Sequence, residues 1–114
     1  MTVATLEALA ETNRLRIVDL LRGGPRPVGE IATRLRLRQP HVSKHLRVLK
    51  GAGLVDVHPE AQRRLYELRL QPLRELDAWL EPYRQFWNAR LDALERRLDE
   101  MGAPARRPRR KAPK

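Results

Sequence analysis

Residues 38–54 decide the fold, and they read Arg-Gln-Pro-His-Val-Ser-Lys-His-Leu-Arg-Val-Leu-Lys-Gly-Ala-Gly-Leu. The pattern predicts a short helix, because apolar residues recur every three or four positions before a glycine-containing stop. At 100° per residue, Leu46 and Leu49 fall within about 40° of Val42, so these three side chains form one apolar seam. Lys44 and Arg47 point away from the seam. They give the predicted helix a cationic outer face, suited to the major groove of DNA.

The residues before this helix predict a helix-turn-helix. Residues 28–35 form a short helical segment, and a turn containing Leu37 follows at once. The apolar face of that segment consists of Val28, Ile31, Ala32 and Leu35. The second helix begins near Gln39 and has Pro40 in its first turn, where the missing N–H costs nothing. The turn lacks the glycine that often stands there.

Two further helices are predicted upstream, and both serve as scaffold. The first covers residues 3–10, with Thr2 as its N-cap. The second is capped by Thr12 or Asn13, and Gly23-Gly24-Pro25 ends it. Its apolar side is formed by Ile17, Val18, Leu20 and Leu21.

After Gly53 the apolar period changes from about 3.6 residues to 2, which predicts strands. Two alternating runs, at residues 55–58 and 63–70, are separated by residues 59–62. We therefore expect a β-hairpin directly after the candidate recognition helix, which is the arrangement of a wing. Arg63 and Arg64 lie near its tip, in position to contact phosphate or the minor groove.

The longest predicted helix runs from Pro72 to about Met101 and carries an apolar stripe at steps of three or four. Thirty helical residues span about 45 Å, and a stripe that long needs a partner surface. A second copy of the chain is the simplest partner. Because Pro82 disfavours helical geometry before it, we expect a kink there or two helices meeting near residues 80–82. The predicted dimerisation residues are Leu6, Leu76, Trp79, Leu80, Tyr83, Phe86, Trp87, Leu91 and Leu94.

The composition fits a one-domain protein with an excess of basic residues, which is suited to a polyanionic partner. The 114-residue chain has a formal charge of +10 and no cysteine, which excludes disulfides and thiolate metal sites. Six of the 24 basic residues lie in residues 102–114, so residues 1–101 carry 18 basic against 14 acidic residues. The predicted organisation is a folded domain over residues 1–101 and a disordered basic tail over residues 102–114. With no membrane-spanning run and no signal peptide in sight, a soluble cytoplasmic protein is expected.

These motifs resemble the ArsR/SmtB-type winged-helix repressors of bacteria, over residues 9 to 100. The resemblance runs through residues 12–21, 28–32, 39–49 and 52–55, and residues 79–87 are similar to the branch that does not sense metals. It implies a homodimer that binds a palindromic operator and represses transcription, with an effector that the residues do not identify. It implies that the residues contacting or adjacent to DNA are Gln39, His41, Ser43, Lys44, His45 and Arg47, with Arg63 and Arg64 in the wing. Arg38 is predicted to bind DNA from its position at the start of the recognition helix.

The chain departs from the family pattern in three places. Arg38 stands where relatives commonly have Ser, and Ala61-Gln62 replaces a common Gly in the wing. The cysteine pair that metal sensors carry around residues 28–35 is missing. His41 and His45 have a ligand spacing but no third ligand, so no metal site and no cofactor are predicted.

The predicted fold class is mainly α with a small β-hairpin (α+β), a winged helix-turn-helix that dimerises through its terminal helices. The predicted function is a sequence-specific transcriptional regulator. Two alternatives stay open: a nonspecific architectural DNA-binding protein driven by the basic tail, and a winged-helix protein–protein adaptor. An enzyme is not predicted, because Ser43 and His45 point in different directions on a helix and no oxyanion site completes a constellation.

Overall fold

A computed structural model describes residues 3–102, and its helices and strands confirm the mainly helical fold with a small sheet. Their bounds are α1 Val3–Leu9, α2 Thr12–Leu21, β1 Arg26–Pro27, α3 Val28–Leu35, α4 Gln39–Gly51, β2 Val55–Glu60, β3 Arg63–Leu68 and α5 Gln71–Glu100. The expected cap Thr2 and residues 103–114 of the predicted tail lie outside the described residues. Among residues 3–102, no helix is both long and apolar enough to cross a membrane.

The core of the first compact unit, residues 3–79, is built around the two helices of the helix-turn-helix. Ile31 of α3 and Val42, Leu46 and Leu49 of α4 are no more than 1% exposed. Ile17 of α2 packs in the same cluster. The predicted seam of α4 is therefore confirmed as the centre of the core, and burying each such side chain contributes about 1.5–3 kcal/mol.

The sheet has three strands in the order β1-β3-β2, all antiparallel. The predicted hairpin is present as β2 and β3, while β1 adds a short edge that pairs Arg26 with Tyr66 and Pro27 with Leu65. The sequence pattern did not predict β1, because two residues are too few to show alternation. β1 leads directly into α3, and so it ties the wing to the helix-turn-helix.

The cap of α2 differs from the prediction. The helix begins at Thr12, so the capping position falls on Glu11, whose Oε2 accepts a hydrogen bond from the Arg14 backbone N–H at 2.9 Å. The expectation of Thr12 or Asn13 as the cap was wrong, because both residues lie inside the helix. The Arg14 side chain in turn donates from Nε to the Ala8 carbonyl at 2.6 Å, which satisfies the end of α1.

Helix α5 runs without interruption from Gln71 to Glu100, with Pro82 inside it. The alternative of two helices meeting near residues 80–82 is therefore wrong. A second compact unit begins at Leu80. Within it, the Arg84 side chain contacts Glu81 at 3.0 Å, and the Arg90 guanidinium lies 4.7 Å from the centre of the Phe86 ring.

The wing turn is tighter than the sequence indicated. Pro59 and Glu60 belong to β2, where they pair with Arg64 and Arg63, so only Ala61 and Gln62 connect the strands. Ala61 has φ +56°, in the left-handed region that favours glycine. A two-residue hairpin needs such a conformation to match the twist of its strands. The chain thus places a β-carbon where it is sterically costly.

We predict that Ala61→Gly stabilises the protein, because the left-handed conformation costs a residue with a β-carbon about 1–2 kcal/mol. Part of this gain is offset by the greater freedom of glycine in the unfolded chain, so a net increase of about 1 kcal/mol in the free energy of unfolding is expected. Urea denaturation measures it. The matched control, Gln62→Gly, should not stabilise the protein, and equal effects of the two substitutions would contradict the prediction.

Candidate nucleic-acid interface

The two sides of α4 differ sharply in exposure. Its seam is buried in the core, whereas Lys44 and Arg47 are exposed, as are Gln39 and His41 in the first turn. Ser43 is half-buried on the flank. Five of the residues predicted to contact DNA therefore lie along one accessible side of a single helix, and this side is held outward by the burial of the opposite one.

The turn between α3 and α4 is held by backbone hydrogen bonds. Leu37 N–H donates to the Ala32 carbonyl at 3.0 Å, and Arg36 N–H donates to the Thr33 carbonyl at 3.3 Å. This is a Schellman motif, and it requires the residue just past the helix to adopt a left-handed conformation. Arg36 does so, with φ +56° and ψ +45°. An exposed cation therefore replaces the usual glycine in this turn.

The start of α4 also lacks its usual side-chain cap. Arg38 occupies the capping position with an extended backbone, and its side chain makes no capping hydrogen bond. The helix N-terminus carries a partial positive charge, and an exposed arginine beside it adds to that charge. Arg38 at this position thus adds positive charge without the stabilisation that a capping side chain gives to a helix.

His45 differs from the other predicted contacts. Its side chain is only 20% exposed, and its Nδ1 lies 3.7 Å from Oε2 of Glu11, the residue that caps α2. His45 therefore contacts the scaffold beside the exposed side of α4. Its predicted role in DNA binding stays a prediction, as a residue adjacent to the DNA.

The two wing arginines lie on opposite faces of the hairpin, although they are neighbours in sequence. Alternation along β3 puts Arg64 on the side of Tyr66, while Arg63 shares its side with Glu67. On the Arg63 side, His58 and Glu67 pair at 2.9 Å. The face of the wing that carries Arg63 also has acidic side chains at both of its ends, so negative charge offsets the positive charge of Arg63. The Arg64 side faces α4, and its charge is not balanced in this way.

A cleft of about 240 Å³ lies between α4 and the wing. Its lining consists of Ser43, Leu46, Arg47, Lys50, Val57, Arg64 and Tyr66. Lys50 and Tyr66 were not among the predicted DNA-binding residues. Lys50 follows Arg47 by three residues on the helix, a spacing that indicated a shared face, but only the fold shows that the wing closes the other side.

The predicted dimerisation residues lie on both compact units. Leu6 of α1 and Trp79 are exposed in the first unit, while Leu76 is half-buried there. In the second unit Leu80 is half-buried, and the remaining side chains are 45–58% exposed. These exposed residues are Tyr83, Phe86, Trp87, Leu91 and Leu94.

The residues described here offer no metal centre. Among residues 3–102, no group of three or more histidine, aspartate or glutamate side chains is arranged to hold a metal ion. His41 is exposed, whereas His45 faces Glu11, so the two histidine side chains lie in different environments.

Two short helices joined by a tight turn, followed at once by a hairpin, define a winged helix-turn-helix DNA-binding protein. The family model described as "Bacterial regulatory protein, arsR family" matches residues 11–57. The HTH-type transcriptional regulator Rv2034 of Mycobacterium tuberculosis is 40% identical over 96 residues, which cover 84% of this chain and 87% of that protein. This chain belongs to the ArsR family of transcriptional regulators.

Other relatives agree with this assignment. The transcriptional repressor SdpR of Bacillus subtilis is 32% identical over 74 residues, covering 65% of this chain and 82% of that protein. The homodimeric winged helix-turn-helix DNA-binding domain Mb0332 of Mycobacterium bovis superposes with a TM-score of 0.61 at 32% identity. The superposition covers 73% of this chain and 77% of the other.

We predict that Arg36→Gly separates stability from DNA binding. The substitution removes a left-handed residue with a β-carbon, so it should raise the free energy of unfolding by about 1 kcal/mol. It also removes a cation beside α4, so DNA affinity should fall despite the greater stability. Urea denaturation and fluorescence anisotropy with labelled duplex measure the two effects.

The control is Arg36→Ala, which removes the same cation and keeps the costly conformation. It should weaken DNA binding to a similar extent without stabilising the protein. Unchanged affinity in both variants would show that Arg36 has no part in DNA binding, and lower stability of Arg36→Gly would contradict the conformational argument.

Proposed function

We propose that this regulator is a homodimeric repressor that binds a palindromic operator through α4. The observation that carries the proposal is the difference between the two sides of α4. The side chains of its seam are no more than 1% exposed, whereas Lys44 and Arg47 on the opposite side are exposed. A relative named as a repressor and a homodimeric structural neighbour support it.

The exposed side of α4 supplies the proposed sequence readout. Gln39 pairs well with adenine, and Arg38 pairs well with guanine, by donor and acceptor geometry. His41 and Ser43 lie beside them near the start of the helix, where recognition helices present side chains to base edges. Lys44 and Arg47 contact bases or phosphates farther along.

The wing and His45 have supporting roles in this proposal. Arg63 and Arg64 contact the DNA backbone or the minor groove from opposite faces of the hairpin. His45, held beside Glu11, sits next to the DNA and connects α4 to the capping residue of α2. Neither role requires chemistry on a substrate, and the chain is proposed to have no catalytic activity.

The apolar stripe of α5 supports the proposed dimer. Trp87, Phe86 and Tyr83 expose 45–58% of their surface in the single chain. Contiguous exposed apolar surface of this kind marks an interaction site. A homodimer covers it with the same surface of a second copy, and it also sets the spacing of the two α4 helices. Leu6 of α1, which is exposed in the first unit, is proposed to take part in the same interface.

We predict that Lys44→Ala and Arg47→Ala each weaken operator binding strongly. A side-chain contact to DNA is worth about 1–3 kcal/mol, and a dimer loses two of them, so affinity should fall roughly 30-fold or more. Selection from random duplexes, then footprinting and anisotropy, gives the operator and the affinities. The footprint should show half-sites about one helical turn apart.

Arg22→Ala is the matched control, because Arg22 is an exposed cation outside α4 and the wing. It should bind the operator nearly as tightly as the parent. The proposed recognition helix would be ruled out if the Lys44 and Arg47 variants bound the operator like the parent.

Deleting residues 102–114 tests the nonspecific alternative. A sequence-specific repressor should keep its preference for operator over random duplex and lose affinity for both by a similar factor. A tail-driven architectural protein should show no such preference before or after the deletion. An adaptor should bind neither duplex at modest salt.

We predict that Trp87→Glu converts the dimer to a monomer, because it places a charge in an apolar interface without a partner. Sedimentation equilibrium should show the parent at twice the mass of the variant at micromolar concentration. Gln85→Glu introduces the same charge at an exposed position about 160° away on the helix, and it should leave the dimer intact. A dimeric Trp87→Glu protein would place the interface elsewhere.

A further inference from the structure

The cleft between α4 and the wing is built from two regular faces. On α4, Ser43, Arg47 and Lys50 are spaced by four and three residues, so they form one stripe along the helix. On the wing, Arg64 and Tyr66 are two residues apart on β3 and share a face. Leu46 and Val57 add apolar surface to the lining. Both faces belong to the first compact unit.

The charges in this cleft are of one sign. Arg47, Lys50 and Arg64 line it, and no carboxylate does. None of the three cations forms an ion pair with an acidic side chain in the described part of the chain. Like charges brought together repel one another, so an arrangement of this kind is stabilised by a bound anion.

The acidic residues of the wing lie on its other face. Asp56 and Glu67 are opposite each other in the register, on the side away from Arg64 and Tyr66. They pair there with Arg69 at 3.9 Å and His58 at 2.9 Å. The carboxylates of β2 and β3 thus all lie on one face of the wing, and the face toward α4 is free of them.

We propose that this cleft binds one backbone phosphodiester of the DNA, with Lys50 and Tyr66 as binding residues that complete it. The proposal rests on the proposed operator binding. Arg47, Lys50 and Arg64 supply charge, while Ser43 and Tyr66 carry hydroxyl groups that donate hydrogen bonds to phosphate oxygens.

A phosphodiester fits this cleft better than a base edge. All the polar side chains in the lining are cations or hydroxyls, so none is restricted to accepting hydrogen bonds, and a phosphate offers only acceptors. The cleft also lies between a helix suited to the major groove and the wing, and the DNA backbone is what separates one groove from the next. A phosphate bound in the cleft therefore fixes the register of both α4 and the wing on the duplex.

The test removes the charge of one phosphate at a time. Each phosphate of the operator is replaced in turn by a neutral methylphosphonate, and the affinity of the parent and of each variant is measured by anisotropy. In the parent, one position in each half-site should weaken binding by about tenfold. In Lys50→Gln and in Arg64→Gln, that same position should lose most of its effect, because the contact is already broken.

The control variant is Arg22→Gln, which removes one exposed cation outside the cleft. It should leave the effect of every methylphosphonate unchanged. Tyr66→Phe, which keeps the ring and removes only the hydroxyl, should reduce the effect at the same position. Circular dichroism melting shows that each variant is folded, and Lys50 and Arg64 are exposed, so their substitution is compatible with the fold.

The outcomes separate this inference from the proposed function. If the parent selects no operator, the proposed function fails. If the parent binds its operator and Lys50→Gln and Arg64→Gln lose sensitivity at different phosphates, or at none, then the cleft does not bind a phosphodiester. If inorganic phosphate at millimolar concentration binds the parent while the operator is bound, and does not bind Lys50→Gln, the cleft is a free-anion site and the assignment to the backbone is overturned.

Discussion

The burial of the α4 seam is the constraint on which the rest of this structure depends. Val42 and Leu49 are fully buried and Leu46 is 1% exposed, so the helix has one rotational setting about its axis. Rotating it would expose these side chains, at a cost of about 1.5–3 kcal/mol for each. The outward direction of Lys44 and Arg47 is therefore a consequence of apolar packing, and no interaction of their own is needed to hold them.

Within residues 3–102, several charges of the scaffold are paired, whereas Lys44 and Arg47 on the exposed side of α4 form no ion pair. Glu30 accepts from Arg26 at 2.8 Å and lies 3.3 Å from Arg34, which balances the start of α3. Glu11 caps α2 and approaches His45 of α4. These contacts hold two acidic residues within the scaffold. Helix α4 itself contains no acidic residue, so its exposed side, with Lys44 and Arg47, is cationic.

Two turns contain a left-handed residue with a β-carbon: the turn before α4 and the turn between β2 and β3. Arg36 ends α3, and Ala61 closes the hairpin. Each costs about 1–2 kcal/mol relative to an unstrained conformation. Surrounding structure holds them in place: a Schellman motif at Arg36 and the paired strands β2 and β3 at Ala61. Each of these two turns is therefore less stable than it would be with glycine at the left-handed position. Both turns lie beside the elements proposed to contact DNA.

The sequence by itself determined the helices, the hairpin and the exposed side of α4, because apolar periodicity records which side of each element is buried. It also indicated the apolar stripe of α5, although it left open whether the helix continues through Pro82, where helical neighbours outweigh a local preference. Tertiary structure alone decided that His45 faces Glu11 and that Lys50 meets Tyr66 across a cleft. These are contacts between residues distant in sequence, and neither periodicity nor residue type encodes them.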